Sequence, residues 1–251
     1  MISLAGRNAL VTGGSRGIGA ATAILLAQSG ANVGIAYRSR TDEAEAVLAR
    51  IQSYGVKGFA FQGNLASAEA NDGFVREALS VFGGLDIYVG NSGIWPPNPQ
   101  RVETLDDVRW RDTLGVNLDG MFYGARAAAR VLPKGGRMIF VSSTAGQRGE
   151  AGHADYAATK GAMISFVKSL AVELGSRDIT VNCVAPGWVD TDAVTIPFAG
   201  EGRGRIETAI PLGRVASATD IAGPILFLAS PLARHVTGEV LNVNGGSVLC
   251  G

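Results

Sequence analysis

Thr12-Gly13-Gly14-Ser15-Arg16-Gly17-Ile18-Gly19 follows the apolar run 8–11 and opens at once onto the apolar segment 20–27. A strand that turns sharply into a helix aims unpaired backbone N–H groups at one point, where the helix dipole favours an anion. Gly13, Gly17 and Gly19 let a pyrophosphate approach the backbone there, so the stretch is a candidate cradle for a dinucleotide. A glycine-rich turn also serves plain turn geometry. What favours the cradle is its position after the first strand and before a helix.

Outward from this turn, short apolar runs alternate with longer segments of helical period, the pattern of parallel strands joined by crossover helices. Strands are expected at 8–11, 32–37, 57–61, 87–89, 137–141, 180–184 and 239–243, each nearly all apolar, as strands covered on both faces are. Helices are expected near 18–29, 42–54, 68–82, 104–131, 155–175 and 218–229, with Asp, Ser or Thr near several starts as caps. The reading is an α/β protein: one seven-stranded parallel sheet with helices on both faces, in a single domain over 1–251. No repeat or linker divides it. The irregular insertion from Gly187 to about Pro211, with a lid expected over 188–211, shows no clear period.

Composition excludes several classes. The 251 residues carry 22 Lys+Arg and 22 Asp+Glu, so no field gathers phosphates or acidic lipid, and neither nucleic acid nor a membrane is an expected partner. Hydrophobic residues make up 47% and charged residues 18%, the balance of a chain with a sizeable core. Cys183 and Cys250 build no disulfide framework and no zinc site, so no metal is expected and the compartment reads as reducing. Residues 1–7 lack the basic-then-apolar order of a secretory signal, which points to the cytoplasm. The uncharged stretch 17–37 is long enough to span a bilayer, but Gln28, Ser29, Gly30 and Asn32 interrupt it.

After the second strand an acid would bond a ribose 2′-hydroxyl, yet the sequence reads Tyr37-Arg38-Ser39-Arg40. Arg38 with Ser39, joined by Arg16 from the glycine turn, suits a 2′-phosphate through charge-assisted bonds, so NADP(H) is expected over NAD(H). Solvated surface arginines are the alternative. Further on, Tyr156 and Lys160 stand four residues apart on a helical stretch and share a face. An ammonium beside a phenol stabilises the phenolate, so Lys160 is expected to lower the Tyr156 pKa. The strand 137–141 ends in Ser142-Ser143, where open parallel sheets bind ligands, and a serine there can bond an oxygen on which charge develops. Each of these features has an ordinary structural reading by itself.

Together they resemble the short-chain dehydrogenase/reductase family from Arg7 to Gly246. The motifs carrying the resemblance are Thr12-Gly-x-x-x-Gly17-Ile18-Gly19, Asn91-x-Gly93, Asn117, Ser143, Tyr156-x-x-x-Lys160 and Pro186-Gly187, in the family's order and spacing. It implies a Rossmann-type doubly wound sheet and a catalytic tetrad of Asn117, Ser143, Tyr156 and Lys160. Tyr156 would be the general acid in reduction, Ser143 would polarise the carbonyl, Lys160 would bond the nicotinamide ribose, and Asn117 would hold a water that relays protons. It also implies NADP(H) contacts from Gly13, Ser15, Arg16, Gly17, Ile18, Gly19, Tyr37, Arg38, Ser39, Asn64, Leu65, Asn91, Ser92, Gly93, Tyr156, Lys160, Pro186, Gly187, Val189 and Thr191. Three positions depart from the family: Gly90-Asn91-Ser92-Gly93 replaces Asn-Asn-Ala-Gly, Asn64 stands before Leu65 where an acid is usual, and Asn244 stands where many relatives carry Asp.

The pattern around 185–192 and Leu212-Gly213-Arg214 is similar to 3-oxoacyl-acyl-carrier-protein reductases, and many carbonyl reductases share it. Substrate contacts are expected from Trp95, Pro96, Ser143, Gln147, His153, Tyr156, Trp188 and the 190–208 segment. The substrate would be a ketone or the corresponding alcohol. Lys134 and Arg177 are candidates for attracting an acidic acyl carrier protein, against the reading of ordinary solvated side chains. The resemblance further implies a homotetramer built through 104–131, 155–175 and the C-terminal strand. Three alternatives stand beside this reading: an NAD-dependent alcohol dehydrogenase of the same family, a non-catalytic NADP(H)-binding redox sensor, and a methyltransferase, which would want an acid after the second strand.

Overall fold

The computed structural model describes residues 2–249, so Cys250 lies outside the described residues. Seven strands form one sheet: β1 (Asn8–Thr12), β2 (Asn32–Tyr37), β3 (Gly58–Gln62), β4 (Ile87–Gly90), β5 (Arg137–Val141), β6 (Thr180–Pro186) and β7 (Val240–Val243). Their order is β3-β2-β1-β4-β5-β6-β7, and every neighbouring pair is parallel. The chain winds outward in one direction to β3, returns to the centre at β4, and winds out the other way. This reversal leaves a crevice at the carboxyl ends of β1 and β4, the place where such sheets bind ligands.

Alternation within each strand supplies both faces of the core. Ala9 and Val11 of β1 and Val33 and Ile35 of β2 point to one side, where they meet Leu26 of α1 (Gly17–Gln28), Ile51 of α2 (Thr41–Gln52) and Ile225 of α9 (Ala218–Ala229). Leu10, Tyr88 and Phe140 point to the other, against Phe74 of α3 (Ala68–Phe82), Ala125 of α5 (Gly120–Val131) and Val167 of α7 (Ala154–Gly175). Each such side chain contributes about 1.5–3 kcal/mol of burial. The expectation of strands covered on both faces holds at the centre and fails at β7, whose four residues are all half-buried, because an edge strand has no helix over its outer margin.

The single helix expected over 104–131 is two helices. Regular helix begins at Asp107, where Asp106 accepts from the Arg109 N–H at 2.8 Å, and α4 (Asp107–Leu114) runs into a π-helical turn (Gly115–Asp119) before α5. Such turns bulge one residue out of register and concentrate at functional sites; this one carries Asn117. Caps also fall where Ser67 and Ser217 stand, and Ser217 closes a capping box with Asp220 before α9. Two short helices have no clear period in the sequence: α6 (Thr144–Arg148), capped by Ser143, and α8 (Gly202–Thr208), inside the 188–211 segment. Among the described residues no helix is long and apolar enough to cross a membrane, and no cluster of three or more His, Cys, Asp or Glu could hold a metal.

Candidate active site

The glycine turn is tied to the next strand over rather than left as a loose loop. Thr12 Oγ1 accepts from the N–H groups of Asn91 and Ser92, each at 2.9 Å, and the Asn91 amide donates to the Thr12 carbonyl at 2.9 Å and the Gly13 carbonyl at 3.2 Å. Gly13 and Gly17 adopt left-handed backbone, at φ +63° and +53°. A Cβ on Gly19 would collide with the Gly13 carbonyl and the Asn91 amide, so Gly19 is needed for helix-to-strand contact. It does not line the cleft, which corrects its place among the expected cofactor contacts.

The cleft itself, about 370 Å³, is lined by Gly13, Ser15, Arg16, Gly17, Ile18, Tyr37, Arg38, Ser39, Asn64, Leu65, Asn91, Ser92 and Gly93. The three arginines at its mouth differ in what holds them. Arg16 donates to Asp192 at 3.1 Å and Arg40 to Glu43 at 3.0 Å, whereas the Arg38 guanidinium is exposed and has no carboxylate partner among the described residues. The cradle fits a dinucleotide: backbone turned in left-handed geometry at the first strand end, and an unneutralised guanidinium at the end of the second. Arg38 is the arginine free to meet a 2′-phosphate, and Arg16 would first have to leave Asp192.

A second cavity, about 260 Å³, opens from the first through the shared lining residues Ile18, Asn91, Gly93, Ile94 and Thr191. Ser143, Tyr156 and Lys160 line it, with Trp95, Pro186, Gly187, Trp188 and Val189. Lys160 is nearly buried; its Nζ donates to the Val141 carbonyl at 2.7 Å and lies 5.6 Å from the Tyr156 ring centroid. Ser142 locks the same turn by donating to the Lys160 carbonyl at 2.9 Å. Gly146 of α6 lets this happen: a Cβ there would come within 2.5 Å of the Lys160 backbone. Asn117 is fully buried behind Gly93, with its Oδ1 accepting from the Ile94 N–H at 2.7 Å and its Nδ2 donating to the Ile94 carbonyl at 2.9 Å.

The electrostatics correct one expectation. Burial pushes the Tyr156 phenol up to about 12, and the Glu150 carboxylate adds to the rise, while the hydrogen bond with Ser143 works the other way. Burial also brings Lys160 down to about 8. Desolvation therefore sets the direction, and the expected lowering by Lys160, whose ammonium is bonded to the Val141 carbonyl, is not among the effects on Tyr156.

Two expected substrate contacts also move. Gln147 donates to Asn242 at 2.7 Å and turns towards β7, away from the cavity. His153 is buried behind Trp95 and does not reach the cavity wall. Arg177 is no free rim charge, because it donates to the Ala129 and Leu132 carbonyls at 2.7 and 2.6 Å and closes the end of α5. Residues that sequence reasoning passed over include Arg148 and Glu150, both on the cavity wall. Another is Arg109, whose guanidinium pairs with fully buried Asp155 at 2.9 Å and bonds the carbonyls of Asn98 and Gly152. Burial alone would raise the Asp155 carboxyl, but bonds from Arg109, Thr113 and the Tyr156 N–H hold it below the ordinary carboxylate range. Glu150 and Arg109 carry no family spacing; a charged residue just upstream of the helix bearing Tyr156 was the available signal.

A doubly wound sheet with a glycine turn at its switch point and a Ser–Tyr–Lys cavity beside it defines a nucleotide-dependent oxidoreductase, and the chain belongs to the short-chain dehydrogenase/reductase family. Residues 13–247 match the family described as enoyl-(acyl carrier protein) reductase. The chain is 41% identical over 242 residues to the 3-oxoacyl-[acyl-carrier-protein] reductase FabG of Staphylococcus aureus (strain Mu50), covering 96% of this chain and 97% of that one. Among solved structures it is similar to a short-chain dehydrogenase from Burkholderia cenocepacia J2315 in complex with NADP, at TM-score 0.92 and 38% identity over 97% of this chain and 98% of that chain. A short-chain dehydrogenase/reductase from Serratia marcescens BCRC 10948 is equally similar, at TM-score 0.92 and 40% identity over 97% and 98%.

Proposed function

We propose that the protein is an NADP(H)-dependent reductase that converts a ketone to a secondary alcohol, with Tyr156 as the general acid. One observation carries this reading: Tyr156, Lys160 and Ser143 line a cavity that joins the glycine-turn cleft through Asn91, Gly93 and Thr191. NADPH held in the cleft supplies the hydride.

The chain's own residues account for the proton. A phenol at about 12 stays protonated through the neutral range and can donate to a carbonyl oxygen as that oxygen becomes an alkoxide. The Ser143 hydroxyl, at the start of α6, offers a second donor to the same oxygen. Lys160, fixed by the Val141 carbonyl, stands between the phenol and Gly93, where a Cβ would lie 3.5 Å from its Nζ; it holds positive charge beside the reacting end. Asn117 keeps Ile94 in place behind that end, and its role in relaying protons rests on the family resemblance.

The substrate is a 3-oxoacyl thioester or a small cyclic or aryl ketone. The relatives named above support the first, and the aromatic walls Trp95 and Trp188 support the second. Exposed apolar residues on the helices expected at a subunit interface, Val108, Trp110, Phe122 and Val172, support a homotetramer. The test is loss of NADPH absorbance across β-ketoacyl thioesters, cyclic ketones and aryl ketones, with Tyr156→Phe as control. Turnover is expected to fall about 10²–10⁴-fold in that variant while calorimetry still shows NADPH binding. NADPH binding without oxidation of any member would favour the redox sensor instead.

A further inference from the structure

At the cavity wall and just behind it lies a cluster that the proposed chemistry does not use. The Trp95 indole forms part of the wall, and its rear face stacks on the His153 imidazole with centroids 4.5 Å apart and planes inclined by 19°. Its N–H donates to Glu150 Oε1 at 3.1 Å. The His153 ring meets two oxygens: Nε2 is 3.0 Å from the Pro96 carbonyl, and Nδ1 is 3.4 Å from the same Glu150 Oε1. A carbonyl oxygen only accepts, so Nε2 carries a hydrogen. In a neutral ring Nδ1 then holds a lone pair, which faces a carboxylate oxygen and has no hydrogen-bond partner in a buried site. Adding one proton to the ring turns Nδ1–H into a donor aimed at Oε1 and resolves the conflict.

We propose that Glu150 and His153 are positioning residues that share one proton and through it hold Trp95 as the wall against which the substrate is seated. This rests on the reading of the second cavity as the substrate pocket. The other charges around the ring do not supply that proton. From α4, Arg109 approaches through the Gly152 carbonyl, but its charge is taken by Asp155 of α7. The segment 94–100 facing the ring carries no charged side chain. Tyr156, Lys160 and Arg148 line the cavity itself, and of these Tyr156 feels the Glu150 carboxylate. The pair Glu150–His153 is thus the group whose charge sets the fit of Trp95.

The wall is seated while the ring holds the shared proton and loosened when it is lost, since its loss restores the clash of lone pair and carboxylate. The first measurement is tryptophan fluorescence of the unliganded protein from pH 5 to 8.5, with Trp95→Phe subtracted to remove Trp110 and Trp188. An imidazolium stacked on the indole is expected to quench it, giving a step within the scanned range when the ring loses the shared proton. Glu150→Gln removes the carboxylate oxygen that faces Nδ1, so the step is expected to move to lower pH. His153→Gln, which still offers a donor to Pro96, is expected to abolish it. The second measurement is KM for ethyl benzoylacetate at saturating NADPH, expected to rise about 3–10-fold across the same step in the wild type as the aromatic contact loosens, and to lose that dependence in His153→Gln. A wild-type protein with no Trp95-dependent step, or a step unmoved by Glu150→Gln, overturns the proposal. The fluorescence arm needs no turnover, so an inactive substrate panel defeats the reductase reading and leaves this one to be decided by the step alone.

Discussion

At the sheet end of the cleft, Thr12, Asn91, Ser142 and Lys160 are bound to backbone groups at 2.7 to 2.9 Å, and Thr12, Ser142 and Lys160 are buried. Across from it, the 187–211 segment is held quite differently. Its base is anchored by backbone bonds between Trp188, Asp190 and Ala216, it buries Val189, Val194 and Ile210, and its outer turns add ion pairs between exposed side chains: Arg16–Asp192, Arg203–Asp190 and Arg205–Glu201. Buried hydrogen bonds to backbone are costly to lose because the abandoned partner stays unsatisfied, whereas exposed ion pairs are screened and contribute about 0–1 kcal/mol each. The sheet side of the cleft is therefore held by polar bonds that are costly to break, and the polar bonds of the opposite segment are cheaper.

Four measurements break or sharpen that contrast. The largest effect is expected from Arg109→Ala, which leaves the Asp155 carboxylate buried without its cation; unfolding in urea should show a loss of about 3–5 kcal/mol, and a loss below about 1 would mean the Arg109–Asp155 pair is dispensable. Next comes Lys160. Its folded pKa of about 8 lies below its ordinary 10.5, so the unfolded chain binds the extra proton, and Lys160 is destabilising below pH 8 and relieved as pH rises towards 10.5. Stability of Lys160→Met relative to wild type should accordingly fall by roughly 3 kcal/mol across that window in thermal melts, and a flat difference would place Lys160 outside the buried end.

A smaller effect is expected at the mouth between the two regions. Arg38→Asp should lower the NADPH:NADH ratio of kcat/KM by about 10–100-fold, the worth of one charge-assisted bond to a phosphate. An unchanged ratio would hand that task to Arg16 after it leaves Asp192. The smallest is Asp192→Ala in the opposite segment, expected to change stability by less than about 1 kcal/mol at low salt and by nothing measurable at 1 M salt. A larger loss would mean the segment is fastened as firmly as the sheet.

Much of the site could be read from the chain because its parts are local patterns. The turn 12–19 announces itself by standing between a strand and a helix, and Tyr156 and Lys160 share a face because a helix brings residues four apart together. Less local features were missed or misjudged. The helix over 104–131 reads as continuous because the π-helical turn at Gly115–Asp119 changes hydrogen bonding without disturbing the apolar pattern. Gln147 and His153 stand at pocket-facing spacings from Ser143 and Tyr156, but one is drawn off by Asn242 and the other is stacked behind Trp95.

Period and composition by themselves determined the seven strands, most of the helices and the glycine turn, since each depends on residues within a few positions of one another, whereas the choice of Ser143, Tyr156 and Lys160 came from the family resemblance. Only the tertiary structure decided that Arg16 is occupied by a carboxylate 176 residues away while Arg38 is left free, and that the Tyr156 phenol is raised and not lowered. Both outcomes turn on which distant segments pack over a charge and how much water they exclude, and no spacing along a chain encodes that.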